Sequence, residues 1–123
     1  MTAPDLATRR AAVRAQQAAG TLPPGERTAA ARLLVDSDDL GDVRLAETLA
    51  LAAMAQDPAA KPIAAAAFDR LRLLAGQPQK FGTQSTGRDG KRVLWPVEPT
   101  TTDSERAKWG LPPLADLRRS TGP

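Results

Sequence analysis

The chain has 123 residues, enough for one domain with a modest core, and it reads as a single domain over residues 1–123. It contains no cysteine, histidine or tyrosine, which excludes disulfides, thiolate chemistry, Ser-His-Asp triads, Cys- or His-ligated metals and phenol acid–base catalysis. The net charge is +3, split as −1 over residues 1–62 (7 basic, 8 acidic) and +4 over residues 63–123 (10 basic, 6 acidic), with the basic residues interleaved with acids, a pattern that argues against a nucleic-acid surface.

Aromatic residues make up 3% of the chain, and alanine dominates the apolar set. Alanine favours helix and fills little volume, so closely packed helices are predicted. No segment approaches the roughly 18–20 apolar residues of a membrane span. The start, Met1-Thr2-Ala3-Pro4-Asp5, has neither the basic nor the apolar region of a signal peptide. With cysteine absent as well, the expected location is cytoplasmic.

Residues 3–19 are predicted to be helical, with Thr2 as the cap, Asp5 as its capping-box partner and Pro4 in the first turn. Leu6, Val13 and the alanines form a thin apolar stripe, and Arg9, Arg10 and Arg14 read as a solvated face. Gly20 ends this helix. A second helix is predicted from about Glu26 to Val35, with Ala30, Leu33 and Leu34 facing inward. The acidic run Asp36-Ser37-Asp38-Asp39 lacks the spacing of a calcium loop, so Asp38 or Asp39 is read as the cap of a third helix. That helix spans about Asp39 to Gln56, with Val43, Ala46, Leu49, Ala50 and Ala53 at helical spacing. The fourth starts at Pro58 or Pro62, with room for a kink at Pro62, and runs to Ala75. Ile63, Ala67, Leu71 and Leu74 form its core face, and Gly76 stops it. Residues 39–75 thus resemble an antiparallel pair packed in the tetratricopeptide or Sel1-like style, without a repeat array.

After Gly76 the composition changes. Phe81, Trp95 and Trp109 are three of the four aromatics. A hairpin is predicted around the turn dipeptide Asp89-Gly90, ending before Pro96. Thr102-Asp103-Ser104-Glu105 is a capping box that opens a short helix ending near Trp109-Gly110. Pro112-Pro113-Leu114 starts another turn or two, through Leu117. An isolated hairpin is marginal in water, so this tail must dock on the helices and supply the bulk that alanine lacks. The predicted fold is mainly α: a four-helix alanine-rich body over 1–76, and a C-terminal strap over 77–123 with a short β-hairpin and one or two short helices.

The ordered run Asp69-Arg70, Gly76, Gln79, Phe81-Gly82-Thr83-Gln84, Leu94-Trp95-Pro96 and Gly110-Leu111-Pro112-Pro113-Leu114 resembles an uncharacterised bacterial family, a domain of unknown function marked by an aromatic-Gly-Thr-Gln motif. The resemblance covers about Asp38 to Leu117. It implies a helical fold with a C-terminal strap and no established activity. It also implies a histidine in the helix matched by residues 43–56, where this chain has Glu47, Met54 and Gln56.

The residues that stand out chemically are Asp69, Arg70, Gln79, Lys80, Thr83 and Gln84. One reading is structural. Asp69 or Arg70 ties the strap through backbone groups of the 77–84 loop, Gly82 takes a backbone angle closed to larger residues, and the glutamines satisfy unpaired amides. The other is a polar pocket between the third and fourth helices and the strap. There Arg70 or Lys80 would receive an anion, the glutamines would read a donor–acceptor pattern, and Asp69 would act as a base. Asp69 can also pair with Arg72. The structural clasp is the preferred reading. Trp95 and Trp109 are the candidate partner surface. No metal site and no cofactor are expected. The expected function is a small accessory or protein- or peptide-binding module. The alternatives are a small enzyme, or a degenerate relative of one, with a pocket around Asp69, Arg70 and Gln84, and, more weakly, a nucleic-acid-associated protein.

Overall fold

A computed structural model describes residues 4–121. Its first helix, α1 (Leu6–Ala19), is capped by Asp5 itself, whose carboxylate accepts from the Thr8 N–H at 2.8 Å. This corrects the expected capping box, and Thr2, the expected cap, lies outside the described residues. Asp5 has the extended backbone a cap requires, and its negative charge favours the positive end of the helix. Gly20 closes α1 in the left-handed conformation, φ 72°. Of the α1 side chains only Val13 is buried. Two arginines expected to be solvated instead hold the helix in place. The Arg10 Nε donates to the Leu33 carbonyl, and Arg14 pairs with buried Asp42 at 2.8 Å. A helix with so thin an apolar stripe needs polar anchors, and long arginine stems reach them.

A 3₁₀ turn at Pro24–Glu26 leads into α2 (Arg27–Leu34). Next comes α3 (Leu40–Ala53), capped by Asp39, which accepts from the Asp42 N–H. Helix α4 (Ala60–Leu74) follows. Pro62 falls in its first turn, where the missing N–H has no intrahelical partner to lose, so no kink is needed there. The main contacts run from α3 to α4 and from α2 to α3. Alanines 31, 46, 50, 60 and 67 are fully buried there beside Leu34 and Val43. Small side chains let the helices approach closely, which is how an alanine-rich sequence reaches interior density.

Gly76 (φ 73°) ends α4, and the Gln77 N–H returns to the Arg72 carbonyl at 2.9 Å. The strap then forms β1 (Ser85–Arg88) and β2 (Lys91–Leu94), an antiparallel pair in which Ser85 faces Leu94 and Arg88 faces Lys91. Asp89 (φ 51°) and Gly90 (φ 76°) both take the left-handed angles of a tight two-residue turn. Helix α5 (Asp103–Lys108) begins at Thr102, whose hydroxyl accepts from the Glu105 N–H. Helix α6 runs from Leu114 to Thr121, past the expected end at Leu117. Its first turn is fixed by Asp103, which accepts from the Leu114 N–H at 2.9 Å, and Arg118 and Arg119 favour its C-terminal end. Phe81 joins strap to body: its ring centroid lies 6.1 Å from that of Phe68 on α4 and 5.8 Å from that of Trp109. The fold is mainly helical with a small hairpin. Among the described residues no helix is long and apolar enough to cross a membrane.

Candidate functional site

Asp69 sits on the strap-facing side of α4 and is completely buried. Its Oδ1 accepts from the Lys80 and Phe81 N–H groups at 2.8 and 3.0 Å. Its Oδ2 accepts from the Gly82 and Thr83 N–H groups at 3.2 and 3.1 Å and from the Thr83 hydroxyl at 2.7 Å. Four consecutive amides therefore converge on one carboxylate. A left-handed residue inside such a loop helps turn successive N–H groups to one side, and Gly82 supplies it at φ 104°. A Cβ on Gly82 would also lie 3.1 and 3.2 Å from Leu114 and Leu117 side-chain carbons of α6. Gly82→Ala is thus expected to lower the unfolding free energy by about 2 kcal/mol. Urea denaturation followed by tryptophan fluorescence measures it, and a midpoint equal to the parent's would contradict the strain argument.

The same loop is held from its opposite side. The Phe81 carbonyl accepts from the Arg106 Nε at 2.6 Å. Arg106 is 2% exposed, and its Nη1 also bonds the Thr101 carbonyl and Asp103. The loop therefore lies between a buried carboxylate on its N–H side and a buried guanidinium on a C=O side. Sequence reasoning missed Arg106. In the sequence it is one more charged residue of a short capped helix, and such residues are mostly exposed.

Gln79 completes the clasp. It is fully buried, its amide donates to the Gln84 and Trp95 carbonyls, and its oxygen accepts from the Gln84 N–H. Its backbone bridges to the segment 96–98, with Val97 as its bridge partner. Gln84 in turn donates to the Thr83 hydroxyl and reaches the Ala66 carbonyl. Asp69, Gln79, Thr83 and Gln84 are brought together, and they bond one another and the loop backbone rather than a cleft.

Arg70 is not part of this group. It points to the α2–α3 connection, where it donates to the Ser37 and Asp36 carbonyls and pairs with Asp38 at 2.6 Å. A pocket formed jointly by Asp69, Arg70 and Gln84 does not exist, because neighbours on a helix point about 100° apart. Arg72 does not pair with Asp69 either. It stacks over Phe68 and reaches Glu98. The Trp95 indole N–H donates to the Gln77 carbonyl at 2.7 Å, which makes this ring part of the strap's own fastening.

Lys80 faces a different feature. A cleft of about 270 Å³ opens between α3, α4 and the strap, where the sequence placed a pocket, but its walls are mostly apolar. Leu51, Phe68, Phe81 and Trp109 line it together with Glu47, Lys80 and Glu105. Three of the chain's four aromatic rings thus meet at one opening. Lys80 pairs with Glu105 at 2.9 Å and lies over the Phe81 ring. Glu47 has no ion pair or side-chain hydrogen bond among the described residues. Its partial burial raises its pKa above the ordinary value for glutamate. Among the described residues no cluster of acidic side chains is arranged to hold a metal ion.

No protein-family model matches the chain, and neither the curated proteins nor the solved structures give a match.

Proposed function

We propose that the protein is a small cytoplasmic accessory module that binds a linear segment of a partner protein, with one side chain of that segment seated in the cleft between α3, α4 and the strap. The observation that carries this reading is the division of labour among the side chains. Asp69, Gln79, Thr83 and Gln84 are occupied by internal hydrogen bonds. Three of the four rings, half-buried Phe68 and Trp109 and buried Phe81, line the cleft instead. Groups bonded to the loop backbone and absent from the cleft wall do not meet a ligand there, whereas a small, largely preformed apolar recess is a good anchor site for a side chain. A volume of about 270 Å³ suits one long side chain better than a drug-sized ligand.

Leu51 tests this without disturbing the core, since it is 43% exposed and lines the cleft. Peptides selected from a randomised library on the parent protein are expected to bind Leu51→Ser about tenfold more weakly, the loss of roughly 1.4 kcal/mol of apolar contact. Fluorescence polarisation reads the change. Peptides that bind both proteins equally, or a library that yields no binder, would overturn the reading.

A further inference from the structure

We infer that the side chain seated in the cleft is an arginine, its guanidinium beside Glu47 and its aliphatic stem against Leu51 and the rings of Phe68 and Trp109. The inference rests on the peptide-binding reading and names the anchor. Charge complementarity in a half-buried site selects this side chain. Three charged groups line the cleft: Glu47 from α3, and Lys80 and Glu105 from the strap. Lys80 and Glu105 neutralise each other at 2.9 Å. Glu47 is left as the one charge there with no partner among the described residues. It lies part-buried against apolar walls, where burial disfavours its charged form.

An apolar anchor would remove more water from that carboxylate and leave it unpaired, which is costly. A cationic anchor would pair it. The walls favour the same choice, because aromatic faces attract cations. The chain already uses its rings in this way, with Arg72 over Phe68 at 4.9 Å and Lys80 over Phe81 at 5.6 Å. Trp109 has no such internal cation among the described residues. Arginine is preferred to lysine because its planar, weakly hydrated group stacks on rings and grips a carboxylate with two parallel bonds.

The test uses the peptides selected on the parent protein. They are expected to share an arginine, and replacing it with citrulline, which keeps the shape and removes the charge, should weaken binding at least tenfold. Glu47→Gln should weaken the arginine peptides by a similar factor and abolish the distinction between arginine and citrulline. The Glu47→Gln protein should melt no lower than the parent, because the change removes an unpaired carboxylate from an apolar setting. If the selected peptides carry an apolar or lysine anchor, or if Glu47→Gln binds arginine peptides as well as the parent does, this inference fails while peptide binding at the cleft stands. If Leu51→Ser leaves every peptide's affinity unchanged, the cleft is not the site, and both fail.

Discussion

Asp69→Ala is expected to cost about 3–5 kcal/mol, the largest effect of any single substitution where the strap meets the helical body. Five donors converge on this carboxylate, four of them consecutive backbone amides. Hydrogen bonds to a charged acceptor contribute about 1.5–3 kcal/mol each, and they do not add in full when one group makes them all. Alanine leaves the amides without an acceptor in a site water does not reach, and that desolvation is the main cost. Asp69→Asn keeps the volume but turns one oxygen into a donor that faces other donors, so it should lose about 2–3 kcal/mol. Because a domain's whole stability is only about 5–15 kcal/mol, the alanine variant should release the strap under mild denaturant. Both tryptophans lie in the strap. A red shift in their emission before the loss of far-ultraviolet helical signal would show that release. Coincident transitions at the parent's midpoint would contradict the clasp.

Arg106→Met should cost about 2–4 kcal/mol, although methionine fills much of the same space and suits a core better by polarity alone. What is lost is specific. The Phe81 and Thr101 carbonyls each lose a charged donor in a buried setting, whereas Asp103, 56% exposed, returns to water at little expense. Arg106→Lys should recover only part of the loss, because an ammonium cannot reach Phe81, Thr101 and Asp103 from one planar fork. Asp69 and Arg106 grip opposite sides of one short loop, so their effects should not be independent. Once either is gone the loop is loose, and the double variant should fall short of the summed losses by about 1–2 kcal/mol. Urea midpoints of the four proteins give this coupling. Simple additivity would mean that the two residues act on separate structures.

Much of this was legible along the chain because it depends on neighbours. Gly20 and Gly76 end helices with angles available to glycine. Thr102 caps α5 through a residue three positions away, and Asp89-Gly90 makes its turn without outside help. The 3.6-residue spacing of Val43, Ala46, Leu49 and Ala50 marks a buried face wherever the helix lies. The loop Phe81-Gly82-Thr83-Gln84 stood out for the same reason, as a crowd of polar groups around a glycine that needs an explanation within a few residues.

The rest depended on distant residues. Arg70 and Asp69 are adjacent in sequence yet serve structures on different sides of α4, the α2–α3 connection and the strap. Arg10 and Arg14 look like a wet helix face until α2 and α3 present Leu33 and Asp42 to them. Arg106 is 25 residues from the carbonyl it holds, and nothing in its own neighbourhood marks it as buried. Glu47, too, is an ordinary helix glutamate until the strap closes a cleft over it. By itself, then, the sequence determined the helices, the caps of α3 and α5, the hairpin turn and the need for a strap to fill an alanine-rich body. The tertiary structure decided which polar groups that strap consumes and left the Glu47 carboxylate in the cleft without a partner among the described residues. The reason is physical: local conformation follows short-range sterics and hydrogen bonds, whereas burial and pairing are properties of surfaces that exist only once distant segments meet.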